Sequence, residues 1–176
     1  LVVRGVCLNP TRTGFLDVLE RMGARIRIEN MHDEAGEPVG DLVVEGTQLR
    51  GTTIAGDEIP ALIDEIPILV VAGALAAGTT VVTDARELRV KETDRIRAMV
   101  EGLSRLGARV EELEDGLVLE GPAPIADAPV RTFSDHRIAM AFSILARARG
   151  ADISLDDPGC VRISYPGFFE DMDRLS

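Results

Sequence analysis

The sequence predicts an α/β fold built from βαβ units. Apolar residues recur with strand and helix periodicities in alternation along the 176 residues. The segment at residues 19–26 is similar to the segment at residues 103–110, so an internal repeat is present. Asp115-Gly116, between two short apolar runs, is a strong hairpin signal. Strands and helices that alternate, with hairpins closing the repeats, predict parallel βαβ units with right-handed crossovers.

The first repeat contains a strand, a helix and two further strands. Residues 1–8 are mostly apolar and predict a buried strand, and Asn9-Pro10-Thr11 then marks a strand end and a helix start. The helix that follows should end at Gly23, since glycine commonly follows the last helical turn. Residues 25–29 and 42–45 predict strands. Residues 31–41 between them are polar and rich in Gly and Pro, which predicts a loop.

The remaining elements follow the same patterns. Residues 61–76 are apolar on most sides and predict a largely buried helix, followed by a strand at residues 79–83. A second helix should run from Thr93 to Gly107, and residues 109–112 and 117–120 should form the hairpin around Asp115-Gly116. The other expected elements are a helix from about Asp135, a strand with Ile153 and Leu155, and a last helix from Phe168, which resembles a third copy of the repeat.

Composition limits the classes of function. The net charge of −11 and an aromatic content of 3% argue against nucleic-acid binding, which needs basic surfaces and stacking platforms. The longest apolar run is too short to span a bilayer, so we expect no membrane segment. Cys7 and Cys160 have no metal-site spacing and His32 lies far from His136, so no metal site is expected. Two lone cysteines are typical of a reducing cytosol. The chain does not begin with Met, so we expect residue 1 to be internal to a longer protein.

Two short motifs concentrate charged side chains at predicted helix starts. The first is Lys91-Glu92-Thr93-Asp94-Arg95 and the second is Ser134-Asp135-His136-Arg137. A helix N-terminus attracts anions through its unpaired N–H groups and its partial positive charge. One interpretation of the two motifs is therefore a binding site for a doubly anionic ligand. The other is a charged, solvated helix start with Thr93 or Asp94 as its cap.

Three arginines occupy comparable places early in predicted helices. Arg12, Arg95 and Arg137 each add a cation where the helix dipole disfavours one, so each needs an anionic partner. We therefore predict that these helix starts face one common cleft. Asp135 could also be an ordinary N-cap, and a lone histidine such as His136 is more often structural.

Asp64 heads the predicted buried helix, beside Glu65. A helix cap and a catalytic base are about equally good interpretations of this carboxylate. A base beside cationic groups would stay ionised at neutral pH.

These motifs together resemble the EPSP synthase family, the enolpyruvyl transferases of the shikimate pathway of aromatic amino acid biosynthesis. The resemblance covers essentially the whole chain. It is carried by these segments: Asn9-Pro10-Thr11-Arg12-Thr13-Gly14, Ile63-Asp64-Glu65-Ile66-Pro67-Ile68-Leu69, Glu87-Leu88-Arg89-Val90-Lys91-Glu92-Thr93-Asp94-Arg95, Asp135-His136-Arg137-Ile138-Ala139-Met140 and Ser164-Tyr165-Pro166.

The resemblance implies an inside-out α/β fold of βαβαββ repeats, with helices inside and sheets outside. Residues 1–176 would form one nearly complete domain, corresponding to the carboxyl-terminal portion of a two-domain enzyme, with the other domain and both chain ends absent. The family's site lies between the domains, where helix N-termini converge. A cytoplasmic enzyme that is monomeric at full length is also expected.

The resemblance also assigns roles to residues. Asp64 looks like the base that accepts a proton from the attacking hydroxyl of shikimate 3-phosphate, and it positions that substrate together with Lys91. Glu92 looks like the acid that protonates the methylene carbon of phosphoenolpyruvate. Arg95 and Arg137 resemble the clamp on phosphoenolpyruvate, with Asp135 and His136 in support. The family's reaction proceeds through a tetrahedral ketal, then loses phosphate, and needs no metal or organic cofactor.

Two positions depart from the family pattern. Some members have Lys where this chain has Ile163, and that Lys contacts phosphoenolpyruvate. Neighbouring Arg162 is a candidate substitute, although adjacent side chains in an extended segment point to opposite faces. Glu87 stands where some members have an Asn that contacts the shikimate ring.

Two alternative functions stay open. The UDP-N-acetylglucosamine enolpyruvyl transferase of cell-wall synthesis shares this fold and chemistry. A non-catalytic half-domain that binds phosphorylated ligands is a rival from another class.

Overall fold

The computed structural model of the chain describes residues 1–175. The strands are β1 (Val2–Cys7), β2 (Arg25–Glu34), β3 (Glu37–Glu45), β4 (Thr53–Ile54), β5 (Gly78–Val82), β6 (Arg109–Leu113) and β7 (Gly116–Gly121). The helices are α1 (Gly14–Arg21), α2 (Ile59–Leu62), α3 (Ile66–Leu75), α4 (Arg95–Arg105), α5 (His136–Arg149) and α6 (Phe168–Arg174). Short 3₁₀ segments span Gly56–Glu58, Ile63–Glu65, Arg86–Val90 and Pro158–Ile163. No helix among the residues described combines the length and apolar character needed to cross a bilayer.

The strands form two sheets, ordered β1-β3-β2 and β4-β5-β7-β6. β4 and β5 are parallel neighbours connected through α2 and α3, as a βαβ unit requires. β5 and β6 also share a direction, because each pairs antiparallel with β7, which lies between them. β1 and β2 flank β3 in the same way. The predicted βαβ units are therefore present, but most neighbouring strands are antiparallel because the returning hairpin strand is inserted into each unit.

The helices lie inside the fold and the sheets lie outside. Seven of the ten residues of α3 are buried, and its sequence is apolar all round, as an interior helix requires. α3 packs against α4, α5, β5 and β7. β2 and β6, by contrast, are exposed along most of their length. This arrangement agrees with the inside-out α/β architecture that the family resemblance implied.

The internal repeat is confirmed as a repeat of structure. α1 and α4 are each followed by a left-handed glycine, Gly23 with φ +95° and Gly107 with φ +92°. After each glycine the next N–H bonds back to the helix, from Ala24 to the carbonyl of Leu19 (2.9 Å) and in the same way at Ala108 (3.0 Å). Glycine is required there because side chains with a Cβ rarely adopt positive φ. α6 begins at Phe168 as predicted, and Ser176 falls outside the described residues.

The prediction of a loop at residues 31–41 is wrong. β2 and β3 form one long hairpin whose turn is Ala35-Gly36, with φ +55° and +88°. The pairing shifts register between Glu29 and His32, next to Asn30, which has φ +54°. Residues 31–37 are all exposed, so the last part of β2 lacks the alternation of apolar and polar residues that identifies a half-buried strand.

The predicted helix at residues 61–76 is broken into three parts. The chain forms α2, then a 3₁₀ turn at Ile63–Glu65, then α3. Pro67 lies in the first turn of α3, where its missing N–H costs nothing, but in a continuous helix its ring would clash with the carbonyl of Ile63. This break places Asp64 in a tight turn just ahead of the buried helix.

Three smaller predictions also need correction. β1 is a strand but is largely exposed rather than buried, with Val2 and Val3 at 50% and 42% exposure. The predicted strand with Ile153 and Leu155 is reduced to an isolated bridge between Leu155 and Val130. The second helix begins at Arg95 rather than at Thr93.

Candidate active site at converging helix starts

Asp64 lies among four cations supplied by three segments of the chain. Its Oδ1 is 3.3 Å from Nη1 of Arg95 and 3.9 Å from Nζ of Lys91. Its Oδ2 is 3.6 Å from Nη2 of Arg137 and 3.9 Å from Nη2 of Arg12. The three arginines precede or begin α1, α4 and α5, so the predicted convergence of helix starts is confirmed. Asp64 is also one quarter exposed, which keeps it accessible to a ligand.

Arg95 connects the two carboxylates that were predicted to transfer protons. Nε donates to Oδ2 of Asp135 (2.8 Å), Nη1 to Asp64 (3.3 Å) and Nη2 to Oε2 of Glu92 (2.5 Å). The Arg95 side chain is 1% exposed. Each nitrogen of this guanidinium therefore already has a carboxylate partner, and Arg95 fixes the distance between Asp64 and Glu92.

Asp135 both caps α5 and holds Arg95. Its Oδ1 accepts from the N–H groups of Arg137 (2.8 Å) and Ile138 (3.3 Å), as an N-cap does, while its Oδ2 accepts from Arg95. Arg137 in turn donates from Nη1 to the backbone carbonyl of Asp64 (2.9 Å). The structure thus brings Asp64, Arg95 and Arg137 together through one buried carboxylate. His136 is the first residue of α5 and is half-buried.

An unusual backbone turn immediately before Asp135 positions its side chain. Phe133 and Ser134 both have φ +55°, a left-handed conformation that non-glycine residues adopt rarely and that often marks functional sites. The turn is held from outside by Asp156, whose Oδ1 accepts from N (2.7 Å) and Oγ1 (2.8 Å) of buried Thr132. Ser134 donates from Oγ to Asp157 (3.0 Å).

Two opposing influences act on the pKa of Asp156. Its desolvation alone would raise that pKa, but the hydrogen bonds from Thr132 outweigh it and hold the pKa below its usual value. The carboxylate form of Asp156 is therefore the form that stabilises the turn.

Arg89 anchors the first motif to the β6–β7 hairpin, a role that the sequence pattern did not predict. Its Nε and Nη2 donate to the carbonyls of Glu114 (2.7 Å) and Leu113 (2.6 Å). Its Nη1 donates to Asp94 and to Glu112, at 2.8 Å each. The hydrogen bond to Asp94, followed in size of effect by the one to Glu112, raises the pKa of Arg89. Asp94 is also the N-cap of α4, which decides between the two candidate caps.

Lys91 is paired with Glu87, one of the two positions that depart from the family pattern. Nζ of Lys91 lies 2.5 Å from Oε1 of Glu87, four residues earlier, and 3.9 Å from Asp64. Glu87 is 64% exposed, so this contact is at the edge of the cluster. A carboxylate here therefore offsets the charge of Lys91 where an Asn would not.

The segment around Arg162 and Ile163 is helical rather than extended. Both residues belong to the 3₁₀ segment Pro158–Ile163, and Ile163 is 77% exposed. The expectation that Arg162 and Ile163 point to opposite faces of an extended segment is therefore wrong, because successive side chains of a 3₁₀ helix are about 120° apart. Within residues 1–175, Arg162 forms no ion pair with Asp64 or with the cations around it.

The sequence did not identify Glu65 as a site residue, because a carboxylate beside Asp64 has the pattern of an ordinary first-turn residue of a helix. Its Oε1 is 3.4 Å from Nη2 of Arg12 and 3.6 Å from Nη1 of Arg137. Its Oε2 is buried and has no hydrogen-bond partner among the residues described. Asp64, Glu65 and Arg137 form the polar end of a cavity of about 240 Å³ whose other walls, from α3, α5 and the start of α6, are almost entirely apolar.

Comparison with known proteins agrees with this geometry. The profile of the EPSP synthase (3-phosphoshikimate 1-carboxyvinyltransferase) family matches residues 1–172. The chain belongs to the EPSP synthase family. It is 53% identical over 175 residues to the 3-phosphoshikimate 1-carboxyvinyltransferase of Synechococcus sp. (strain JA-3-3Ab), covering 99% of this chain and 39% of that protein. It is also 53% identical to the enzyme of the same name from Chloroflexus aggregans, with 99% and 40% covered.

Solved structures give the same family and fold. The EPSP synthase of Acinetobacter baumannii superposes with a TM-score of 0.91 at 38% identity, covering 98% of this chain and 41% of that one. The enolpyruvyl transferase NikO from Streptomyces tendae, at 24% identity and a TM-score of 0.67, shares the fold. The chain thus spans about 40% of the length of the EPSP synthases that it matches.

Proposed function

We propose that the complete gene product containing this chain transfers the enolpyruvyl group of phosphoenolpyruvate to shikimate 3-phosphate, releasing phosphate. The observation that supports this most directly is the carboxylate of Asp64 held by Arg95 within a cluster that also contains Lys91 and Arg137. Glu92, on the other side of the same Arg95, supplies a second carboxyl group. Two opposed proton transfers and two phosphorylated substrates need such a set of groups.

In the proposed addition step, Asp64 takes the proton from the attacking hydroxyl of shikimate 3-phosphate. The hydroxyl oxygen forms a bond to the central carbon of phosphoenolpyruvate, while Glu92 gives a proton to the methylene carbon. The product is a tetrahedral ketal. In the elimination step Glu92, left as a carboxylate by the addition, takes a proton from the methyl carbon. The enolpyruvyl double bond forms again, the carbon–oxygen bond to phosphate breaks, and the departing phosphate accepts the proton that Asp64 took up.

The cations of the cluster have separate proposed tasks. Lys91 and Asp64 hold shikimate 3-phosphate, and Arg137 with Arg95 holds phosphoenolpyruvate. Because Arg95 is buried against three carboxylates, its larger contribution is to orient Asp64 and Glu92. Asp135 supports this through its contacts with Arg95 and with the start of α5, where His136 also lies.

We further propose that residues 1–176 are one domain of a two-domain enzyme. In this proposal the other domain supplies the opposite wall of the site, excludes water and holds much of the shikimate phosphate. The complete enzyme would be a cytoplasmic monomer that uses no metal or organic cofactor.

The two alternatives have less support. The relatives compared above carry the name of the shikimate enzyme, which does not favour the cell-wall transferase. A half-domain that only binds phosphorylated ligands would not need Glu92 joined to Asp64 through a buried arginine.

A coupled assay of phosphate release tests the proposal. The complete gene product should release phosphate with phosphoenolpyruvate and shikimate 3-phosphate, and should not do so when UDP-N-acetylglucosamine replaces the shikimate substrate. Residues 1–176 alone should show no turnover, since positioning contributes roughly 7–11 kcal/mol to lowering such a barrier. Absence of turnover by the complete product with both substrates would reject the proposal.

A further inference from the structure

We infer that Arg12 and Arg137 form a two-guanidinium subsite for an oxyanion, and that Glu65 is its internal counter-ion. The subsite refines the proposed function and rests on it, because it assigns part of the anion binding to Arg12. Arg12 lies in the segment before α1 and Arg137 in the first turn of α5, yet both guanidinium groups meet at Oε1 of Glu65. The expected ligand is a phosphate or carboxylate group of a substrate.

The lengths of the ion pairs separate structural contacts from exchangeable ones. Arg95 bonds to Asp135 and Glu92 at 2.8 and 2.5 Å, distances typical of strong charge-assisted hydrogen bonds. Glu65 contacts Arg12 and Arg137 at 3.4 and 3.6 Å, which is longer than such bonds prefer. A ligand oxyanion that makes shorter contacts with both guanidinium groups would therefore displace Glu65 at little cost.

Exposure also separates Arg95 from the other two arginines. The side chain of Arg12 is 51% exposed and that of Arg137 is 29% exposed, while that of Arg95 is 1% exposed. Arg12 is therefore the arginine of the cluster that a ligand reaches most easily. Its hydrogen bond is made by Nη2 to Glu65, and no further hydrogen bond from Nε or Nη1 occurs within residues 1–175.

Glu65, together with Asp64, keeps the two guanidinium groups close to each other while no ligand is bound. Two like charges repel one another, and a carboxylate between them offsets that repulsion. Because Glu65 also borders the apolar cavity between α3 and α5, water screens its contacts less than it would on an open surface. Removing its negative charge while keeping its shape should therefore strengthen the binding of a competing anion.

The test uses the complete gene product and the variants Arg12→Met, Arg12→Lys and Glu65→Gln. Arg27→Met and Glu45→Gln are matched controls, because Arg27 and Glu45 form an exposed ion pair between β2 and β3. Michaelis constants for phosphoenolpyruvate and for shikimate 3-phosphate are measured separately, which shows whose anionic group occupies the subsite. The affinity for inorganic phosphate is measured by calorimetry, which does not depend on turnover.

Arg12→Met should raise the Michaelis constant for one of the two substrates about tenfold, with the turnover number changed less than about twofold. Arg12→Lys should recover part of that loss. Glu65→Gln should lower the same constant about two- to fivefold, a gain that damage to the fold would not produce. The phosphate affinity should change in the same directions, and the control variants should match the wild type.

Unchanged constants for both substrates in Arg12→Met, or weaker anion binding in Glu65→Gln, would overturn the subsite. A gene product without turnover whose phosphate affinity still depends on Arg12 would reject the proposed function and leave the subsite supported.

Discussion

Arg95 donates from Nε to Oδ2 of Asp135 across 2.8 Å, and the two side chains are 1% and 0% exposed. The first residue of α4 is thereby joined to the N-cap of α5 in the interior of the fold. A buried ion pair adds little net stability by itself, but the loss of one partner leaves a charge that is costly to bury. This pair therefore joins the two helix starts, and so Glu92 and Arg137, directly, while their shared contacts with Asp64 join them through a third residue.

The first prediction concerns the charge of Asp135. Asp135→Asn keeps an acceptor for the cap of α5 but removes the negative charge opposite Arg95. We expect a loss of about 3 kcal/mol in the free energy of unfolding, measured by urea denaturation at pH 7. Asp94→Asn is the matched control, because Asp94 caps α4 but is 32% exposed, and it should cost about 1 kcal/mol or less. Equal losses in the two variants would show that burial of the pair is unimportant.

Local sequence signals predicted the parts of the site that depend on helix starts. Cations at Arg12, Arg95 and Arg137 needed anionic partners, and all three are found beside Asp64. Local signals could not predict which side chains meet across the fold. Thr132 bonds to Asp156 over 24 residues of chain, and Arg12 contacts Glu65 over 53.

The errors in the fold have a related cause. A period of two identifies a strand when one face is buried, and β2 is exposed on both faces from Arg27 to Glu34. Residues 61–76, apolar on most sides, suggested one buried helix, while Pro67 divides that stretch in the structure. The left-handed pair Phe133-Ser134 has no sequence signal, and the hydrogen bonds that hold this turn run from Thr132 to Asp156 and from Ser134 to Asp157, 24 and 23 residues along the chain.

The second prediction concerns Glu92 as the proton donor. In the complete enzyme, Glu92→Gln keeps the size of the side chain and an acceptor for Arg95 but cannot supply a proton. We expect the turnover number to fall about 10²–10⁴-fold, with Michaelis constants changed far less. Glu111→Gln, an exposed change on β6, controls for the loss of one carboxylate. Turnover at the wild-type rate in Glu92→Gln would remove Glu92 from the mechanism.

The third prediction concerns the pair of Glu87 and Lys91. Glu87→Gln removes the carboxylate nearest Nζ of Lys91, so the amine is freer to attract a substrate phosphate. We expect the Michaelis constant for shikimate 3-phosphate to fall about two- to threefold, as the loss of one exposed competing charge allows. Glu114→Gln, which breaks the exposed pair with Arg86, should leave that constant unchanged. A higher constant in Glu87→Gln would instead indicate that Glu87 itself holds the substrate.

The fourth prediction concerns the pH dependence that Asp156 gives to stability. Because hydrogen bonds from Thr132 hold its pKa below the usual value, the folded state favours the carboxylate more than the unfolded state does. Its contribution is therefore present above the ordinary aspartate pKa of about 3.9 and is lost as the pH falls through the lower pKa of the folded state. Asp156→Asn should lower the free energy of unfolding by about 1 kcal/mol at pH 7, after allowance for its solvent exposure.

The measurement is urea denaturation of the wild type and of Asp156→Asn at pH 7, 5 and 2.5. We expect the difference between them to be the same at pH 7 and pH 5 and to be smaller at pH 2.5, which lies below the ordinary aspartate pKa of about 3.9, so that the unfolded state binds the proton more readily than the folded state. Asp57→Asn, at an exposed position, removes one negative charge from the same chain of net charge −11 and corrects for the general effect of charge. A difference that persists undiminished at pH 2.5 would mean that Asp156 holds the turn at Phe133-Ser134 through its shape rather than through its charge.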